Sequence, residues 1–255
     1  MELEKIPEVT MDSGHGDHDD RGFYGPEEEG DNNFLTVELI AKHLEDNYIV
    51  KVNKTRKKMS DNPWPGRGSM YPNQLLFYSR HSNSLDSAPG TVRGVTMYYL
   101  YGKTLAATLA TRLSKFMGNN DRGPVYAVGA QSMLVLREAK AAGTKYLILA
   151  EVGFHDNPID AKLLVEKRAE IAKIEAETIA EHLKLKKKTA PKPTPVPVPP
   201  VVTPKPPASV PTPGLDKAQQ WAVDLGIIAD RDWDKNLTKS QLAWILFDYN
   251  RKGVK

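Results

Sequence analysis

The chain has 255 residues, 40% of them hydrophobic, a formal net charge of +3 and no cysteine. That length allows one core of roughly 150 to 200 residues plus a smaller unit, and the charge is too small to argue for nucleic acid as a partner. Without thiols there are no disulfides, zinc-thiolate sites or cysteine nucleophiles, so any metal must be held by His, Asp or Glu.

The start, Met1-Glu2-Leu3-Glu4-Lys5-Ile6-Pro7, has neither a basic n-region nor an apolar h-region, so the protein is expected to be made in the cytoplasm without a secretory signal. No run approaches the 18 or so apolar residues of a membrane span, and no membrane insertion is expected. The first strand is expected at Val9 to Met11 and leads into Asp12-Ser13-Gly14-His15-Gly16. Glycines on both sides of His15 allow a sharp turn that projects the imidazole over a sheet edge. Asp17, Asp19 and Asp20, with His18 among them, read as a hydrated acidic loop rather than a calcium site, and Glu27, Glu28 and Glu29 follow.

Val37, Ile40, Ala41 and Leu44 then repeat at helical spacing, and a strand is expected at Tyr48 to Val52. Further strands at Leu75 to Ser79, Val95 to Tyr99 and Tyr146 to Ala150 carry His81 and Glu151 just beyond the first and last of them. Leu105, Leu109 and Leu113 mark a helix between. Leu164, Ile171, Ile174, Ile179 and Leu183 mark one long final helix, whose basic end at Lys184, Lys186, Lys187 and Lys188 suits the helix dipole.

Strands alternating with helices predict an α/β fold, a twisted, mixed and mostly parallel sheet flanked by helices. His15, His81 and Glu151 each fall one to four residues past a predicted strand, where open α/β sheets place their ligand sites. Singly, His15 reads as an ordinary glycine-rich loop and His81 as a polar loop cap. Glu151 is harder to dismiss, because a carboxylate closing an apolar strand is costly to desolvate without a partner. Two histidines, one liganding glutamate from the 27 to 29 cluster and a spare glutamate make a hydrolytic zinc centre, with three protein ligands, an open position for water and a general base.

Between Thr189 and Gly214 lie eleven of the nineteen prolines. This composition predicts an extended spacer, since proline fixes φ and removes amide donors. Residues 215–255 read as a small helical module. Ala218, Trp221, Ala222 and Leu225 form one stripe closed by Gly226, and Thr238 with Gln241 forms a capping box ahead of Leu242, Ile245, Leu246 and Tyr249.

Four segments carry a resemblance. Asp12-Ser13-Gly14-His15-Gly16, Glu29 with Asn33 four residues on, Ser79-Arg80-His81-Ser82-Asn83 and Glu151-Val152-Gly153-Phe154-His155-Asp156-Asn157 closely resemble the zinc-dependent N-acetylmuramoyl-L-alanine amidases of the amidase-3 class, which include bacteriophage endolysins and bacterial autolysins. The resemblance runs from about Val9 to Leu183. It implies zinc as cofactor, His15, Glu29 and His81 as its ligands with Glu28 as the alternative to Glu29, and Glu151 as the catalytic carboxylate that moves the proton of the attacking water to the departing amine. It further implies Asn83 and Arg67 as substrate contacts, although Arg67 and Arg56 equally suit surface or helix-anchoring roles. The chain departs from the family at Arg80, where a small apolar residue is common, a change expected to leave the metal site untouched. It departs again at Gly94-Val95-Thr96, where an acidic residue often stands.

The tail looks like one S-layer-homology-type repeat, with Trp221, Trp244 and Phe247 as a small core and Trp233 as the wall contact. The resemblance thus implies a zinc amidase domain at 1–188, a linker at 189–214 and a cell-wall-binding module at 215–255. The expected function is peptidoglycan hydrolysis between N-acetylmuramic acid and L-alanine by a phage endolysin. A bacterial autolysin, another zinc peptidoglycan hydrolase (peptidase or deacetylase) and a non-catalytic wall-binding protein are the alternatives. Expected partners are peptidoglycan and, through the tail, a secondary wall polymer, with self-association of the tail to complete its binding surface.

Overall fold

The computed structural model describes residues 5–16, 28–85, 90–128 and 133–189. The acidic loop of Asp17 to Asp20 with His18, Glu27, the spacer from residue 190 onward and the 215–255 module with Trp233 lie outside the described residues.

The elements run β1 (Glu8–Ser13), α1 (Glu29–Asn47), β2 (Lys51–Lys54), β3 (Leu76–Asn83), β4 (Val95–Tyr101), α2 (Lys103–Met117), β5 (Asp121–Tyr126), α3 (Leu134–Ala141), β6 (Tyr146–Phe154), α4 (Pro158–Glu166) and α5 (Arg168–Leu183). The six strands form one sheet in the order β2-β1-β3-β6-β4-β5. All neighbours are parallel except β4 against β6, which makes the predicted mixed, mostly parallel sheet.

The strands alternate sides as period-2 geometry requires. Leu76, Tyr78, Ile148 and Ala150 enter the larger core with Val37, Ile40 and Leu44 of α1, Leu105, Leu109 and Leu113 of α2, and Ile171 and Ile179 of α5. Phe77, Leu147 and Leu149 point the other way, onto Val135, Leu136 and Ala139 of α3. Leu109 and Leu113 are fully buried, and cutting either to alanine costs about 2–5 kcal/mol. Among the described residues no helix is long and apolar enough to cross a membrane.

The structure corrects several expectations. The last helix is two helices. Asn157 caps α4 by accepting from the amides of Ile159 and Asp160, with Pro158 in the first turn, and a non-helical Lys167 separates α4 from α5. The break lets α4 pack on β6 while α5 packs on α1 and α2. The second strand is not Tyr48 to Val52 but Lys51–Lys54, because Tyr48 closes α1. Strand β5 was not anticipated; it contains Gly123 and Pro124 and lies at the sheet edge, where proline costs no central hydrogen bond. Helix α3 has only eight residues and three buried apolar ones, too short for the pattern to register. Finally, β3 and β6 run beyond the expected ends, so His81 and Glu151 lie inside strands, as register partners.

Candidate metal centre

The C-terminal halves of β1, β3 and β6 converge on one point, and each delivers one chemically active side chain. After β1 the chain turns at Gly14, whose amide donates to the carbonyl of Arg80 (2.9 Å). A Cβ on Gly14 would stand 2.2 Å from Cε1 of His81, so the glycine is what admits that ring. His15 follows in the left-handed region (φ 61°), and its ring lies edge-on to that of His81, centroids 4.9 Å apart at 77°.

Glu29 enters from the first turn of α1, where the helix dipole favours a carboxylate. It is 2% exposed, with Oε2 3.1 Å from Nε2 of His15 and Oε1 3.7 Å from Nδ1 of His81. The Ser82 amide (2.9 Å) and Nδ2 of Asn33 (3.2 Å) both donate to Oε1 and fix the carboxylate. Burial works against its charge, but hydrogen bonds and charge from His15 and His81 outweigh burial and hold its pKa well below the usual carboxylate value. Burial lowers the pKa of His81 despite the opposing pull of Glu29, a shift toward the neutral form that a metal ligand requires.

One donor atom from each of His15, Glu29 and His81 lies within 4.8 Å of the others. Two imidazoles and a carboxylate are a donor set of catalytic zinc sites, and the residues present fit that metal. Glu28 stays outside as the residue before α1. Glu151, beside His81 in the sheet, is partly exposed, yet its Oε2 is shut from solvent and makes no hydrogen bond. Burial first, then the charge of Glu29, raises its pKa to about 8, against the opposing charges of His15 and Arg80. An unpartnered acceptor beside the ligand cluster is what a base for an incoming water needs.

The surroundings hold residues that sequence reasoning missed or misjudged. Arg80 is fully buried; its Nη1 donates to Oδ1 of Asn33 (2.6 Å), the residue that fixes Glu29, and its Nε is 3.9 Å from Glu175. The departure at position 80 therefore reaches the metal site at one remove, contrary to expectation. Asp12 is buried and accepts from the hydroxyls of Thr55 and Ser79, each at 2.5 Å. His155, 2% exposed, places Nδ1 3.1 Å from Oγ of Ser82 and 3.6 Å from Oε2 of Glu29.

Arg67 is 3% exposed and donates to the carbonyls of Ser13 (3.0 Å) and His15 (2.9 Å) and to Oδ1 of Asn62 (3.3 Å). These contacts make it an anchor of the His15 turn, and little of its fork faces outward. Arg56 is equally buried and donates to the carbonyl of Gly30 in α1, the helix-anchoring alternative rather than the surface one. A cavity of about 360 Å³ opens onto the cluster, lined by His15, Asn62, Trp64, Arg67, His81 and Val135. Asn83 lies on the other side, in a second depression with Thr96 and Tyr98.

The sequence matches the N-acetylmuramoyl-L-alanine amidase family (Amidase_3) over residues 9–181. The chain belongs to that family. Solved structures similar to this amidase include AmiC2 of Nostoc punctiforme, an N-acetylmuramoyl-L-alanine amidase, at 26% identity and TM-score 0.60, covering 71% of this chain and 99% of that one. The catalytic domain of CwlV from Bacillus (Paenibacillus) polymyxa var. colistinus matches at 26% identity and TM-score 0.59, covering 71% of this chain and 100% of its own. An N-acetylmuramoyl-L-alanine amidase from Clostridium difficile 630, at 22% identity and TM-score 0.61, shares the fold over 71% of this chain and 98% of that one. No curated protein matches this amidase.

Proposed function

We propose that this amidase hydrolyses peptidoglycan at the amide between the lactyl group of N-acetylmuramic acid and L-alanine, using zinc held by His15, Glu29 and His81. The observation that carries the reading is the approach of those three donors to within 4.8 Å of one another, with the unpartnered Oε2 of Glu151 alongside. A bound zinc supplies Lewis acidity toward the scissile carbonyl and acidifies water. Glu151 takes the proton of the attacking water at its carboxylate and returns it to the alanine nitrogen as that amine departs. Glu29 keeps its position through Ser82 and Asn33, and Arg67 keeps the His15 turn in place.

The proline-rich segment 189–214 is read as a tether and 215–255 as a module binding a secondary wall polymer, with Trp233 as a contact residue and self-association completing its surface. Phage lysis from within is the cellular role we favour, and a bacterial autolysin of the same activity is its alternative. Metal analysis should find one zinc per chain, and a strong chelator should abolish wall lysis with recovery on adding zinc, since His and Glu donors exchange metal freely. Full activity of a metal-stripped sample would overturn the proposal.

A further inference from the structure

The second depression, about 510 Å³ in volume, lies between β3, β4 and β5 and is lined by Asn83, Thr96, Tyr98, Asn120, Asp121 and Arg122 among others. Its relation to the reactive carboxylate follows from sheet register. Glu151 pairs with Thr96 across β6 and β4. Across β4 and β5, Val95 pairs with Asp121 and Met97 with Pro124, so Thr96 faces an extra residue on its partner strand, the pair Arg122 and Gly123. Such a bulge re-aims a side chain, a device common beside active sites. Arg122 therefore stands two strands from Glu151, roughly 10 Å at the usual strand spacing, with the groove between them.

The charges of this groove are unequally engaged. Asp121 is tied down, its oxygens accepting from the Thr111 hydroxyl (2.7 Å) and the Gly123 amide (2.8 Å). Arg122 is exposed and makes no ion pair or hydrogen bond among the described residues; its guanidinium rests over the ring of Phe154, 5.5 Å from the centroid. Asn83 accepts the Ser84 amide through Oδ1, and its Nδ2 donates to no described residue. The groove thus offers a stacked cation with a free planar fork and a neutral amide donor, the equipment for a carboxylate.

We infer that this groove is the subsite for the peptide side of the scissile amide, and that Arg122 binds the free α-carboxylate of the second stem residue, a γ-linked D-glutamate. The inference rests on the amidase reading above. Once the lactyl carboxyl is in amide linkage the glycan strand near the cut is uncharged, so carboxylates lie only on the peptide. An extended chain gains about 3.5 Å per residue, so the second residue's carboxylate lies about 7 Å from the scissile nitrogen, within reach of a guanidinium two strands away. Arg122 acts on specificity and takes no part in the proton transfers.

The test compares two soluble substrates, N-acetylmuramoyl-L-alanyl-γ-D-glutamate with its α-carboxylate free, and the same compound with that group amidated. The zinc-loaded full chain should prefer the free acid by roughly tenfold to a hundredfold in kcat/KM, the range expected for a charge-assisted pair. Arg122→Ala should bring that ratio close to one, and Arg122→Lys should keep part of it. A merely structural role would lower both substrates together and leave the ratio unchanged, which overturns the inference, as does a wild-type ratio near one. Calorimetric binding of the L-alanyl-γ-D-glutamate dipeptide, free acid against amide, reads the same subsite without catalysis. Loss of acid-selective binding in Arg122→Ala with no hydrolysis of either substrate would leave the subsite standing and sink the amidase reading instead.

Discussion

Glu151 and Glu29 are neighbouring carboxyls whose surroundings push their pKa values in opposite directions. Glu29 collects the Ser82 amide, Asn33 and two imidazoles and stays charged, whereas Glu151 has an orphaned oxygen and a pKa raised to about 8. Glu151→Gln should therefore keep the metal and lose at least a hundredfold in turnover, because only the proton carrier is removed. His15→Ala and His81→Ala should lose metal and activity together; zinc loss in Glu151→Gln would mean that the roles of the two glutamates are reversed. The metal-free protein gives an independent check. Its folded state binds the Glu151 proton more tightly than the unfolded chain does, burial being the chief cause. That contribution to stability is complete below the ordinary value of 4.5 and disappears as pH rises through about 8. Denaturation of metal-free samples should show wild type losing ground to Glu151→Gln across that window, and a pH-independent gap would contradict the burial. His15, His81 and Glu151 stood out in the sequence beside glycine or at the end of an apolar run, whereas Glu29 was separated from Glu28 only by the family resemblance; the structure brings His15, Glu29 and His81 together. Asp12, Arg80 and His155 owe their contacts to cross-strand register and to α1, which no local pattern reports.

At the scale of elements, the site depends on close approaches at strand ends. A Cβ on Gly14 would meet the His81 ring at 2.2 Å, and that ring cannot move without leaving the cluster. Gly14→Ala should weaken zinc affinity by about tenfold to a hundredfold, the size of effect seen when a ligand's supports are disturbed. Competition against a chelator of known affinity measures this, and unchanged affinity would show that His81 has another place to go. Arg67 ties the same turn from behind, next to buried Asp12 at 3.5 Å. Arg67→Ala should cost about 3 kcal/mol by leaving that carboxylate and two carbonyls without their cation, read as a lowered midpoint in denaturant. The α/β alternation and most strands were legible because apolar runs of four or more residues survive any register. Strand β5 and helix α3 were not, since an edge strand tolerates Gly123 and Pro124 and eight residues carry too little periodicity. The long final helix was misjudged because the apolar spacing continues through Lys167 while the backbone does not.

At the scale of the molecule, the described fold is self-contained up to the segment after α5. There Leu185 is buried, the Ile49 amide donates to the carbonyl of Lys186 (2.7 Å) and the Lys188 amide donates to that of Asn47 (2.8 Å). Those contacts make the lysine run a clasp on the end of α1, with its lysines exposed. A fragment ending at Thr189 should fold and keep its zinc, whereas one ending at Leu183 should be measurably less stable. The longer fragment should cleave soluble muropeptides at near the parental rate and intact walls more slowly, because a tethered module raises local concentration; equal rates on both would remove the targeting role of 215–255. The most direct test of the central claim is identification of the ends released from purified sacculi. New amino-terminal L-alanine and intact glycan strands should appear, suppressed by chelator and by Glu151→Gln. New reducing sugar ends, amino groups from within the peptide or released acetate would contradict it.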